Sequence, residues 1–290
     1  MPKFAIYTAV VGNYDEILQP LVVDSRFDYF LFSDTFQEDR IGVWQVKSIE
    51  YFNSDRVKTA RYVKTHPETF LPNYAATLWM DANLQIVDSY VYERFLELFN
   101  QGVEIASVKH PQRDCIYEEL FTVCAFQWET LEIAWGWNRV LRQNNYPEHN
   151  GLFETGLTYR LNSPNVKKVD EEWWNCIYHY SSRDQLSYNF VLAKCDVKCD
   201  FFLPYGESIY SSKHVGHSTH VSSTGKTKVV EQPEYLKRLF DYYREATVVE
   251  PTSFYRKWLR NLGASLFFSK ILMYLWRQRI RITYHIHKKQ

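Results

Sequence analysis

Residues 77–87, Thr-Leu-Trp-Met-Asp-Ala-Asn-Leu-Gln-Ile-Val, constrain this chain more than any other stretch. Their first half is apolar and suits a buried strand, and the hydrophobic run ends where Asp81 and Asn83 begin. If the extended conformation continues, side chains alternating at a period of two turn both polar groups to one side, with Ala82 opposite. Two converging oxygen ligands at the carboxyl end of a parallel strand hold a hard divalent cation, commonly together with a phosphate-bearing substrate. Asp-Ala-Asn is also ordinary turn material, and the tripeptide alone does not choose between the two.

A chain of 290 residues is long enough for one large α/β domain or two small ones. Aromatic residues make up 17%, which excludes a disordered chain. Net charge is zero but unevenly placed: residues 251–290 hold nine Lys or Arg and no acid, leaving 25 basic against 34 acidic side chains before them. The expected organisation is a catalytic domain over 1–250 and a basic amphipathic helical tail over 251–290. Cys115, Cys124, Cys176, Cys195 and Cys199 are odd in number and lack paired Cys-x-x-Cys spacing, which speaks against a disulfide framework or zinc ribbon and for a reducing compartment. The N-terminus enters a strand-like run directly, without the pattern of a signal peptide.

Residues 4–11 read as a buried strand broken at Gly12-Asn13-Tyr14-Asp15, where glycine permits a tight turn. Residues 28–34 form a second apolar run tipped by Ser33 and Asp34, and residues 44–49 a third strand. Residues 53–65 read as a helix with Asn53 or Ser54 as N-cap, carrying Arg56, Lys58, Arg61 and Lys64. This face is either solvated or delivers Arg61 and Lys64 to a diphosphate. Pro67 and Pro72 end the helix. Strands alternating with helices imply a doubly wound, mostly parallel sheet that places Tyr14, Asp34 and Asp81 on its carboxyl edge. No Gly-x-x-x-x-Gly-Lys or Gly-x-Gly-x-x-Gly loop follows the first strand, which argues against a P-loop NTPase and a dinucleotide-dependent dehydrogenase.

An ordered series then suggests a family: Thr8-Ala-Val-Val-Gly-Asn-Tyr-Asp15, Phe32-Ser-Asp34, Leu78-Trp-Met-Asp-Ala-Asn83, His110-Pro-Gln-Arg113 with Tyr117-Glu-Glu119, Gly151-Leu-Phe-Glu154 and Ser182-Arg-Asp-Gln-Leu-Ser187. The series resembles the bacterial and plant glycosyltransferase-like domain of mucilage and pollen-tube cell-wall proteins, a relative of the GT-A sugar-nucleotide transferases. The resemblance spans about residues 4–204. It implies a GT-A (Rossmann-like) α/β fold with a mixed, mostly parallel sheet, and a nucleotide-sugar donor, a UDP-sugar first among them. It assigns the nucleoside to Thr8, Ala9, Tyr14 and Asp34, and the metal motif to Asp81 and Asn83. Here the usual second carboxylate is an amide, which still ligates Mn²⁺ or Mg²⁺ but with one charge fewer, so the cation would bind mainly with the diphosphate.

Glycosyl transfer needs a cation on the departing diphosphate, and GT-A enzymes often add a late histidine; residues 213–220 offer His214, His217 and His220, with His217 and His214 preferred. Three histidines at this spacing also allow a separate zinc site or a plain surface loop. For the acceptor hydroxyl, Glu154 lies in a loop before a strand at 157–161, and Asp184 opens a helix that Ser181 or Ser182 would cap. The resemblance places Asp184 and Gln185 on the donor sugar, whereas plain capping is the alternative for Asp184. If the enzyme inverts, Asp184 or Glu154 is the base; if it retains, neither is needed. His110, Arg113, Glu118 and Glu119 follow an apolar run at 103–108 and are the acceptor candidates, while Trp173 and Trp174 read as core. The tail is either core packing or an amphipathic helix on an anionic membrane face, not a membrane span and not a nucleic-acid site. The function expected is transfer of a sugar to a glycan or lipid-linked saccharide in surface polysaccharide or lipopolysaccharide synthesis, by a cytoplasmic protein peripheral to the inner membrane face. A silent nucleotide-sugar-binding module and a metal-dependent phosphoesterase are the alternatives.

Overall fold

The computed structural model of the chain describes residues 2–12, 16–126 and 128–218. Tyr14, His220 and the basic tail lie outside them. Two compact units are present, and residues 2–111 with 152–218 build the first.

The first unit is organised on an eight-stranded sheet. Its opening strands are the apolar runs Phe4–Val10 (β1) and Phe27–Ser33 (β2), paired in parallel from Phe4 opposite Phe27 to Val10 opposite Ser33. Arg40–Ile41 (β3) folds back on Trp44–Ser48 (β4), which lies parallel to β2. Arg56–Thr65 (α1) follows, capped by Asp55, whose side chain accepts the Val57 N–H at 2.9 Å, rather than by Asn53 or Ser54. Pro67 ends α1 but also opens a one-turn helix, Pro67–Phe70 (α2), because the first helical position needs no amide hydrogen. Ala76–Met80 (β5) then pairs in parallel with β1.

The strand stops at Met80. The chain turns through Ala82 and Asn83, with the Leu84 N–H donating to the Asp81 carbonyl at 2.9 Å, so alternation along an extended strand does not govern where Asp81 and Asn83 point. Leu84–Ile86 (β6) and Tyr90–Asn100 (α3) come next, then Ile105–Lys109 (β7). In the second unit, which includes Gln112–Gly151, lie Ile116–Ala125 (α4) and Leu131–Gln143 (α5), the latter capped by Thr130 and burying a stripe of Leu131, Ala134, Trp137 and Leu141.

Back in the first unit, Phe153–Leu161 (β8) enters the sheet between β5 and β7, antiparallel to both. Glu154 therefore sits within the strand, not in a loop ahead of it. Pro164–His179 (α6), Gln185–Cys195 (α7), Cys199–Phe201 (β9) and Val215–His217 (β10) complete the elements of the described residues, with β10 antiparallel to β6 in a separate two-stranded ribbon. The large sheet runs β3-β4-β2-β1-β5-β8-β7-β9. This is the mixed, mostly parallel α/β sheet expected.

One face of the sheet is closed by α3, whose Val91, Tyr92, Phe95 and Leu98 pack with Phe4, Phe27 and Tyr159. The other carries Ala5, Tyr7, Phe32 and Trp79 against Val63 of α1. No helix of the described residues is long and apolar enough to cross a membrane.

Phe95 is the centre of the α3 face, fully buried with the rings of Phe4, Phe27 and Tyr159 at 5.2, 4.9 and 4.9 Å. Phe95→Ala is expected to remove about 3–5 kcal/mol of stability. Denaturant titration of both proteins checks it, and a loss under about 1 kcal/mol would contradict this assignment of the core.

Candidate active site

Helix α1 brings two cations to one point. Arg61 and Lys64 are three residues apart and so leave the helix on the same face. Lys64 has no exposed surface, and its ammonium donates to the Asp184 carboxylate while lying 3.8 Å from Asp81 Oδ1. The indoles of Trp79 and Trp173 stand over it at 5.4 and 5.5 Å, where the negative faces of the rings add to the attraction. Arg61 places one guanidinium nitrogen 3.3 Å from Asp184 Oδ1 and the other 3.8 Å from Asp81 Oδ1. For Lys64 the solvated-face reading therefore fails. Two cations and two carboxylates form one cluster.

Asp184 occupies the N-cap position of α7, yet its side chain makes no capping bond. The carboxylate is committed instead to Lys64, to Arg61 and to the Thr155 hydroxyl, which donates at 3.0 Å. Its backbone carbonyl accepts the Trp173 indole N–H at 2.9 Å. Burial raises the proton affinity of this carboxyl, but Arg61, Lys64 and the hydrogen bonds outweigh it and hold Asp184 well below the usual carboxylate range. Burial also pulls Lys64 down, against the opposing charges of Asp184 and Asp81.

Asp81 is set by backbone geometry. Its N–H donates to the Gly156 carbonyl at 2.8 Å, and its Oδ1 accepts the Trp79 indole N–H at 2.7 Å. The pairing of β7 with β8 slips here: Val108 faces Glu154 and Ser107 faces Thr158, so residues 155–157 bulge. The bulge carries Thr155 to Asp184 and Gly156 to Asp81. A Cβ on Gly156 would lie 2.9 Å from Ile209 Cδ1 and 3.1 Å from Asp81 Oδ2, so a larger residue would press on both side chains.

In this turn, Asn83 is buried and donates from Nδ2 to the Ser218 carbonyl at 3.2 Å. His217, on β10, pairs with Leu84 and so adjoins Asn83. His214 is engaged elsewhere, 2.8 Å from Asp88 and stacked on Tyr90 at 4.0 Å. Among the described residues no three His, Cys, Asp or Glu side chains gather into a metal-binding group. A cation held by Asp81, Asn83 and His217 would accordingly depend on diphosphate oxygens for much of its coordination, which fits an amide in the second position.

Glu154 is buried and accepts the Ile209 N–H at 2.9 Å. Gln185, in the first turn of α7, has a buried Nε2 without a hydrogen-bond partner, a donor in want of an acceptor. At the end of β1, Gly12 has φ +68° and donates to Asp34 Oδ1 at 2.8 Å, joining the tips of β1 and β2. Thr8 alternates with Ile6 and Val10 on the α3 face, its buried Oγ1 unpartnered, while Ala9 packs on the Tyr7–Trp79 face. His110 follows β7 and is nearly buried. Arg113 and Glu118 belong to the second unit, where Arg113 pairs with Glu119 at 2.5 Å. Sequence reasoning did not find Trp79, Trp173 and Thr155 as supports of the site.

A family model described as the TOD1/MUCI70 glycosyltransferase-like domain matches residues 2–210. The chain belongs to that family. Arg61, Lys64, Asp81, Glu154, Asp184 and Gln185 all lie inside the matched part of the TOD1/MUCI70 domain, and His214 and His217 lie beyond it. No curated protein matches the chain. Among solved structures, the chain is similar to the WbbM bifunctional glycosyltransferase in its apo form, at 10% identity and TM-score 0.41 over 72% of this chain and 40% of that one. It is also similar to mouse xyloside xylosyltransferase 1, apo form, at 10% identity and TM-score 0.38 over 69% of this chain and 83% of that one. The chain thus spans well under half the length of the first.

The depressed Asp184 proton affinity sets a pH dependence. A carboxyl lowered in the folded state contributes stability that is present above its unfolded value near 4 and is lost as pH falls through the folded value. Asp184→Asn should therefore be less stable than the parent throughout about pH 6 to 8, with the gap closing only below about pH 4. Urea midpoints across that range read it directly. A gap that already closes near pH 6 would mean that Asp184 is not held ionised by Lys64 and Arg61.

Proposed function

We propose that this TOD1/MUCI70 domain transfers a sugar from a nucleoside-diphosphate donor, a UDP-sugar, to a saccharide or lipid-linked saccharide acceptor. The observation that carries the reading is the buried Lys64–Asp184 pair, joined by Arg61 and Asp81, at the rim where parallel strands β1, β2 and β5 end. As the glycosidic bond to the diphosphate breaks, positive character grows on the anomeric carbon and negative charge on the leaving group. Arg61, the more exposed of the two cations, is the side chain that turns toward the diphosphate, while Lys64 keeps Asp184 fixed. A Mn²⁺ or Mg²⁺ ion held by Asp81, Asn83 and His217 would supply Lewis-acid stabilisation of the same charge.

Asp184 faces the sugar as a permanently ionised group, and the unpartnered Gln185 Nε2 donates to a sugar hydroxyl beside it. A carboxylate with so little proton affinity is a poor general base. In an inverting reaction that role falls to Glu154; a retaining reaction requires neither. Within the first unit the acceptor contact is assigned to His110, and nucleoside contacts to Asp34, Tyr14, Ala9 and Thr8.

A panel of nucleotide sugars with Mn²⁺, read by nucleoside diphosphate release and product mass, tests this. The expected result is release from one donor, with kcat falling about 10²–10³-fold in Asp184→Asn. Binding without turnover would favour a silent nucleotide-sugar module, and phosphate release from simple esters a phosphoesterase.

The basic and apolar stretch at 251–290 supports placement of the protein on the inner face of a membrane, suited to an acceptor carried on lipid. Sedimentation with anionic liposomes should be lost on truncation after residue 250. Unchanged sedimentation would remove that assignment.

A further inference from the structure

We infer that Tyr7, Arg160 and Asp170 are positioning residues for Lys64, a buried brace behind the site that acts on the reaction only through the lysine. The inference rests on the functional reading above. It begins with the end of α1, because the last carbonyls of a helix have no partner within it. The Lys64 carbonyl is one of these, and the Tyr7 hydroxyl, from the strand beneath the helix, donates to it at 2.8 Å.

Arg160 fixes the direction of that bond. Its NH2 donates to the Tyr7 oxygen at 2.8 Å, so the single phenolic hydrogen is left for Lys64. Burial keeps the Tyr7 phenol protonated, above its ordinary range. Arg160 is in turn anchored by NH1 donating to Asp170 Oδ1 at 2.7 Å, with both side chains almost wholly buried. The Tyr7 ring meets the Trp79 indole edge-on at 5.2 Å, and Trp79 holds Asp81, so the same tyrosine touches the supports of both carboxylates.

Packing alone does not call for this arrangement. Phenylalanine would fill the Tyr7 space, and a buried ion pair is often no more stabilising than apolar side chains of the same volume. Burial in fact pushes the Asp170 carboxyl up to about 7 even with Arg160 beside it. Arg160 Nε, Asp170 Oδ2 and Glu68 Oε2 are buried without a hydrogen-bond partner, and their residues are among those lining one pocket of about 20 Å³. The chain of hydrogen bonds from Asp170 through Arg160 and Tyr7 to the Lys64 carbonyl is continuous.

The test is a double-mutant cycle on nucleoside diphosphate release from the best donor of the panel, with Mn²⁺. Tyr7→Phe, which keeps the ring, should lower kcat about ten- to a hundredfold with the donor KM within about twofold. In a Lys64→Met background, or Asp184→Asn if Lys64→Met does not fold, Tyr7→Phe should change kcat less than about twofold, because the group it acts through is gone. Effects that multiply independently in the two backgrounds would overturn the inference while leaving the active site as described. A Lys64→Met enzyme as active as the parent would overturn both. If the background is too slow to assay, the crystal structure of Tyr7→Phe decides: a Lys64 ammonium moved off Asp184 supports the brace, and one in place refutes it.

Discussion

An ammonium group without solvent contact is unfavourable by several kcal/mol unless a carboxylate accompanies it, and Asp184 is the carboxylate that accompanies Lys64. Much of the first unit follows from satisfying that pair. Lys64 comes from α1 and Asp184 from the start of α7, 120 residues later, so the two helices must meet over the same strand ends. Thr155 supplies a hydroxyl from β8, and Trp173 of α6 an indole N–H to the Asp184 backbone. Separate segments are thereby tied to one charged point, and loss of either Lys64 or Asp184 leaves an unpaired buried charge.

The reversal of β8 makes this possible. Parallel strands β1, β2 and β5 send only their carboxyl ends to the rim, whereas antiparallel β8 brings its amino end there. Glu154, Thr155 and Gly156 thus arrive beside Asp81 from the opposite chain direction. The bulge against β7 then turns Thr155 and Gly156 to different neighbours, one to Asp184 and one to Asp81. A regular strand would have placed these alternately above and below the sheet.

The strands were legible because their apolar runs are continuous and end in polar tips, as at Ser33–Asp34 and Asp81. Their direction was not, since a hydrophobic run such as 157–161 reads the same in either orientation. Arg61 and Lys64 were recognisable as a pair from helical spacing, but spacing cannot distinguish a lysine in water from one under two indoles. The capping alternative for Asp184 was reasonable from its place before a helix; the structure gives that position to the backbone and the carboxylate to Lys64 and Arg61. Trp173 looked like core, and it is core, yet its indole N–H also holds the Asp184 carbonyl. Such dual roles have no signature in composition. Strand alternation does not aim Asp81 and Asn83, because the chain turns there, and the proximity of His217 to Asn83 comes from the β6–β10 ribbon.

Charge balance gives the amide at position 83 a physical setting. Arg61 and Lys64 already neutralise Asp81 and Asp184, so this cluster carries no net charge before any ligand enters. A second carboxylate at 83 would make the rim anionic and would need a cation before a diphosphate could approach. With an amide, the diphosphate of the proposed donor meets a neutral rim containing two cations. Arg61 can then exchange its longer contacts with the carboxylates for phosphate oxygens, which its planar fork suits better than an ammonium would. Lys64 has no such freedom, being enclosed by Trp79, Trp173 and Asp184. On these terms a divalent ion would travel with the proposed donor rather than reside in the protein, and the fixed half of the site is the lysine with its carboxylate.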